Sequence, residues 1–299
     1  MRSNIQVKER INMDPKIVDL YDEFKRGGLD RREFLRKLAS LAGGTAAASA
    51  LLPLLEARPE ASQSVPKDDP GLRTQYINYA GATGDIRAYS ARPKDAQKRP
   101  GVVVIHENRG LNAHIEDVAR RVAKEGYLAL APDALSPFGG TPANPDEARP
   151  LFQKLDTDAN IKNFVAAVRY LKTDPQSTGK VACMGFCWGG GMTNQVAVHS
   201  PDLAAAVPFY GMQPAPADVP KIKAAMLIHY AGNDERINGG IPAFEETLKN
   251  ASVDYKIFMY PGAEHSFFND TNPAPRYNKE AAELAWKRTL EFFKKKLRG

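Results

Sequence analysis

Lys180-Val181-Ala182-Cys183-Met184-Gly185-Phe186-Cys187-Trp188-Gly189-Gly190-Gly191 is the stretch whose reading decides the fold. Residues 180–186 form an apolar run of strand character, and residues 188–199 begin a Gly-rich helix, so Cys187 falls on the turn between them. The local form is Gly-x-nucleophile-x-Gly. Gly185 and Gly189 stand two residues to either side of Cys187, where a side chain would crowd a strained turn. A turn of this kind lifts the Cys187 side chain above the strand ends. It also aims the N-terminus of the following helix at the reacting centre, which favours a thiolate and a developing oxyanion. The competing interpretation is a buried structural cysteine ahead of a helix start. Cys183, on the strand itself, is assigned to that class.

Outward from this turn the chain alternates strands and helices. Residues 74–80 and 85–91 read as a hairpin around Gly81-Ala82-Thr83-Gly84. Residues 101–106 (GVVVIH) and 127–131 read as short buried strands, and 204–209, 224–230 and 255–260 as further strands. Residues 113–125, 159–171, 242–248 and 277–297 carry helical spacing. This order predicts an α/β fold, with a mostly parallel central sheet covered by helices on both faces. One domain over residues 72–299 accommodates it.

A nucleophile needs a base, and the base needs an orienting acid, in the chain order nucleophile, acid, histidine for this type of turn. Asp234 follows the strand at 224–230, and His265 follows the strand at 255–260. Both stand in loops at the carboxyl ends of strands, where open α/β sheets place ligands. Glu235 is the rival to Asp234. His229, inside an apolar strand, reads as a satisfied core residue. Glu107 follows the strand at 101–106 and stands at the mouth of the sheet; the plain alternative makes it the loop partner of Arg109. The backbone N–H groups of Asn108 and Trp188 are the expected oxyanion-hole donors. The expected substrate pocket is aromatic: Phe138, Phe209, Tyr210, Tyr230, Phe267 and Phe268 beside Trp188, with Arg109 and Arg236 as candidate carboxylate binders and Arg149 a third by loop position. Residues 138–149 are long and Gly/Pro-rich, with the composition of a lid.

These residues resemble the dienelactone hydrolase family of α/β-hydrolases. The resemblance covers residues 72–299 and rests on His106-Glu107, Ala131-Pro132-Asp133, Gly185-Phe186-Cys187-Trp188-Gly189-Gly190, Asn233-Asp234 and Tyr260-Pro261-Gly262-Ala263-Glu264-His265-Ser266-Phe267. It implies the α/β-hydrolase fold and a Cys187–His265–Asp234 triad. It also implies a Glu107 that holds the resting thiol and then helps generate the thiolate. The implied activity is carboxymethylenebutenolidase-like opening of lactones or small carboxylic esters through a cysteine thioester. In the family an arginine four residues after the catalytic histidine holds a substrate carboxylate. Here that position is Asn269, so this part of the clamp is missing. Acyl transfer from the same thioester, and a non-enzymatic exported small-molecule binder or thiol sensor, are the alternatives. The presence of all three triad residues argues against a binder.

Residues 1–60 differ in character. Arg31-Arg32 is followed by Phe34-Leu35 and a base, and residues 38–55 carry no charge. The pattern resembles a twin-arginine export signal with small residues at Ala48-Ser49-Ala50 or before Ala57. It implies the twin-arginine machinery as a partner and a periplasmic or otherwise exported protein. Asp30 replaces the usual serine or threonine. A membrane anchor and an amphipathic cytoplasmic helix, to which the periodicity of residues 15–29 also points, are the alternatives. Membrane contact is expected only in transit or through an uncleaved leader. Residues 61–71 (ASQSVPKDDPG) read as a linker.

Composition is that of an ordinary globular chain: 299 residues, 43% hydrophobic and 25% charged. The net charge of +6 concentrates at the two ends and accompanies no basic-aromatic module, which argues against nucleic acid. Two cysteines four apart and five scattered histidines provide neither a disulfide framework nor a zinc ligand set. No metal or other cofactor is expected.

Overall fold

The computed structural model describes residues 29–56, 64–272 and 275–298, together with a few positions between 14 and 24. Two compact units partition the chain, Met1–Glu60 and Ala61–Gly299.

The first unit contains helices α1 (Arg31–Ala42) and α2 (Thr45–Glu56). Asp30 caps α1 by accepting a hydrogen bond from the Glu33 amide at 2.8 Å, so the residue that departs from the export pattern is a good helix start. Gly43, at φ 79°, closes α1 in the left-handed conformation. Ile17, Leu20, Tyr21, Leu29, Phe34, Leu38 and Ala48 form a small core, with Phe24 stacked on Phe34 at 4.3 Å between centroids. No helix among the described residues is long and apolar enough to cross a membrane. Ala57 and most of residues 15–29 lie outside the described residues.

In the second unit, β1 (Leu72–Gly81) and β2 (Gly84–Pro93) form an antiparallel hairpin whose two-residue turn is closed by the Gly81–Gly84 pair. There follow β3 (Arg99–Ile105), α3 (Ala113–Lys124), β4 (Leu128–Pro132), α4 (Pro145–Phe152), α5 (Thr157–Thr173), β5 (Ser177–Phe186) and α6 (Trp188–His199). The chain ends with β6 (Ala205–Phe209), β7 (Ala225–Asn233), α7 (Glu235–Asn238), α8 (Ile241–Asn250), β8 (Tyr255–Glu264) and α9 (Lys279–Leu297). The sheet has eight strands in the order β1-β2-β4-β3-β5-β6-β7-β8; β2 runs antiparallel to β1 and β4, and the rest are parallel.

The central strands β3, β4, β6 and β7 are continuous apolar runs because both faces are covered. On β3, Val102 and Val104 face a core shared with α3 and α9, while Val103 and Ile105 face one shared with α5, α6 and α8. On β5, Ala182, Met184 and Phe186 take the first face, Val181 and Cys183 the second. Cys183 is fully buried beside Thr193, and burial pushes its thiol up to about 12, in keeping with a structural role. The supposed linker is partly pinned: the Ser64 and Val65 amides donate to Asp117 on α3, and the Val65 carbonyl accepts from Arg120.

His229 is the satisfied core residue its setting implied. Nδ1 accepts from the Tyr260 hydroxyl at 2.9 Å, and Nε2 donates to Thr289 Oγ1 at 3.1 Å. Burial, with the nearby Arg288 charge adding to it, lowers its pKa from the ordinary 6.5 to about 3. An unfolded chain therefore takes up a proton below pH 6.5 that the fold refuses. Stability is full above that pH and falls as the pH drops toward 3, by an amount on the order of a few kcal/mol. Chemical denaturation of the wild type from pH 7 to 4 should show this slope, and His229→Gln should flatten it.

Candidate active site

Four loops at the carboxyl ends of β3, β5, β7 and β8 converge on one point. The strand-to-helix turn after β5 holds Cys187 at φ 55°, ψ −115°, a conformation disfavoured for a residue with a side chain. Its amide is bound to the Phe209 carbonyl at 3.1 Å. The flanking glycines are steric requirements. A Cβ on Gly185 would lie 2.2 Å from the Gly189 carbonyl oxygen, and one on Gly189 would lie 2.4 Å from that of His106. Helix α6 can thus start in contact with the end of β3.

Asp234 caps the start of α7 and is nearly buried. Its Oδ2 accepts from His265 Nδ1 at 2.5 Å, while Glu235 points to solvent, so Asp234 is the histidine's acid. This bond fixes the His265 tautomer and leaves Nε2 for chemistry. The ring also packs on Tyr210, at 5.1 Å between centroids.

Glu107 is buried and does not pair with Arg109. Oε1 accepts from Ser266 Oγ at 2.8 Å, and Oε2 accepts from Asn269 Nδ2 at 2.7 Å. The amide of Asn269 is oriented by Thr271, whose N–H and hydroxyl both donate to Oδ1. The loop is anchored in turn by Asp270, which bonds His114 and Arg121 on α3. The sequence does not show Ser266 and Asn269 as partners of Glu107; their only signal is position, one and four residues after the histidine. His106 is neutral and structural: Nδ1 donates to the Glu107 carbonyl, Nε2 accepts from the Ala134 amide, and the ring stacks on Trp188.

Cys187, Glu107, Asn108 and His265 line one polar hollow of about 290 Å³, together with Arg109, Arg149, Arg236 and Arg276. None of these four arginines pairs with an acidic side chain among the described residues. Cys187, Asn108 and Arg236 also border a second hollow of about 450 Å³, which Trp188 enters. Of the expected aromatic lining, Trp188 alone borders a hollow among the described residues. Phe209, Phe267 and Phe268 are core residues packed under the site, and Tyr230 lies behind Gln213, to which its hydroxyl is bonded. Tyr210 is fully buried against His265. Phe138 is exposed at the end of a 3-10 turn and lines neither hollow. These aromatics face inward because the sheet needs them as core. The segment 138–149 is held at its start by Asp133, which takes the Thr141 amide and hydroxyl, and it contributes Arg149 to the polar hollow.

The resting Cys187 is not the thiolate that the helix terminus alone would favour. Burial, reinforced by the Glu107 charge, pushes Cys187 up to about 11, against the opposing pull of the Trp188 amide and Arg236. Desolvation outweighs the helix terminus here.

Residues 86–297 match the model of the Dienelactone hydrolase family. The chain belongs to this family. A relative from Saccharolobus solfataricus, provisionally named a carboxymethylenebutenolidase, is 33% identical over 257 residues, covering 73% of this chain and 97% of its own. One from Escherichia coli K12 with the same provisional name is 32% identical over 254 residues, covering 80% and 93%. The crystal structure of a provisionally assigned dienelactone hydrolase from Klebsiella pneumoniae superposes with a TM-score of 0.66 at 29% identity, covering 74% of this chain and 98% of that one. The fold of this chain is thus the α/β-hydrolase fold of dienelactone hydrolase relatives, and the family is one of carboxylic ester hydrolases.

If Glu107 keeps the Cys187 thiol protonated, Glu107→Gln removes a negative charge beside the sulfur and lowers its pKa. Alkylation of wild-type Cys187 by iodoacetamide should still be rising with pH at 10, and the Gln variant should reach its plateau at lower pH.

Proposed function

We propose that this dienelactone hydrolase family member cleaves carboxylic esters, lactones included, through a thioester on Cys187. The observation that carries this reading is the meeting of Cys187, on its strained turn, with the Asp234-bound His265 in one hollow.

His265 Nε2 takes the thiol proton as Cys187 Sγ attacks the substrate carbonyl carbon. The carbonyl π electrons pass to oxygen, which collects the amides of Trp188 and Asn108; losing one such donor typically costs about 3–4 kcal/mol of transition-state stabilisation. The intermediate collapses to a thioester, the bond to the alcohol oxygen breaks, and the His265 imidazolium returns its proton to that oxygen. Water, deprotonated by His265, then attacks the thioester and releases the acid and the thiol. Asp234 stabilises the imidazolium that forms twice in the cycle. The charge of Glu107 keeps the thiol from ionising before a substrate is bound. The four arginines supply positive potential to the hollow that holds His265, suiting a substrate whose alcohol half is anionic.

Purified protein should turn over p-nitrophenyl acetate, and Cys187→Ala or His265→Ala should lower kcat/KM by about three orders of magnitude or more. Trapped thioester detected by mass spectrometry after an acid quench checks the covalent step; hydrolysis undiminished in Cys187→Ala would sink it.

We also propose that Met1–Glu60 directs export, on the strength of Arg31-Arg32 and the uncharged stretch 38–55. Replacing both arginines by lysine should retain the protein in the cytoplasmic fraction, while the unaltered chain reaches the exported one.

A further inference from the structure

The two hollows at Cys187 divide the substrate. A carbonyl carbon attacked by Sγ carries three other substituents: the oxyanion, the leaving oxygen and the first acyl carbon. The oxyanion belongs at the divide, because Asn108 borders both hollows and Trp188 begins the helix beside Cys187. The leaving oxygen must reach His265, and His265 lines only the polar hollow. The alcohol half therefore occupies the arm with the arginines, and the acyl half is directed into the other.

That other arm is the larger, about 450 Å³ against about 290 Å³. Its wall is built from Trp188, Met192, Met212 and Ile237, with the neutral amides of Gln195 and Gln213. Among the described residues no acidic side chain borders it, and the one cation that does is Arg236, at the shared boundary. A charged acyl group would lose hydration there without gaining a partner, whereas flexible methionines accommodate alkyl chains. We propose that this arm is an acyl-chain site, so that the enzyme selects open-chain esters with uncharged, apolar acyl groups of several carbons. A small lactone ties its acyl carbon and its leaving oxygen into one ring and leaves this arm empty. The inference rests on the thioester reading above, since Cys187 defines the divide.

The test uses p-nitrophenyl acetate, butanoate and hexanoate, which share one leaving group, with dihydrocoumarin as the lactone. In the full chain kcat/KM should rise from acetate to the longer esters by about ten-fold or more, and these should exceed the lactone. Gly191 lines the same arm, and a Cβ there would meet Met212 at an ordinary 3.5–3.6 Å, so a Cβ is accepted without a clash. Gly191→Leu should reverse the chain-length preference, and Gly191→Ala, the gentler change, should reduce it. A flat profile that neither variant moves, or a lactone that leads the series, overturns the acyl-chain site while loss of turnover in Cys187→Ala upholds the thioester. Undiminished turnover in Cys187→Ala overturns both.

Discussion

The close approach of the Cys187 turn to the end of β3 is the constraint on which the rest of the site depends. Only a bare Cα at Gly189 lets the first turn of α6 lie against the carbonyls of Ile105 and His106. At that turn the Trp188 amide and the Glu107 charge both act on the Cys187 sulfur. The His106 ring extends the contact, stacking on Trp188 while its two nitrogens tie the ends of β3 and β4 together. Backbone packed this tightly is a rigid support, and the precision of a catalytic constellation comes from such support.

Around this support the charges are arranged to restrain the thiol. Glu107 is held by two neutral donors, Ser266 and Asn269, so its charge remains uncancelled against the sulfur. An arginine at position 269 would neutralise that carboxylate; an asparagine positions it without doing so. Positive charge is instead placed farther out, on the rim formed by Arg109, Arg149, Arg236 and Arg276. A resting thiol pushed up to about 11 is protected from adventitious alkylation and oxidation, because the thiolate is the reactive form.

The central residues were legible because each carries a local signature. Cys187 stands between two glycines after an apolar run, and Asp234 and His265 each follow a strand in the expected order. The pocket wall was not legible. Phe209, Phe267 and Phe268 are as hydrophobic as any lining residue, and sequence does not tell a side chain beneath the site from one facing it. Met192, Met212, Gln195 and Gln213 lack any pattern, yet they bound the larger hollow. Arg276 lies eleven residues beyond His265 and reaches the site through the path of its loop.

By itself the sequence determined the class of the fold and named the cysteine, acid and histidine that meet at its site. Strand and helix periodicity are local properties, and a turn that demands glycine announces itself at fixed spacing. Tertiary structure alone decided what Glu107 binds, how the thiol is tuned and how the hollow divides. Each of these depends on distances between loops from β3, β5, β7 and β8, far apart in the chain and brought together only by the parallel sheet. Electrostatic shifts and cavity shape are sums over such neighbours, and no stretch of sequence contains them.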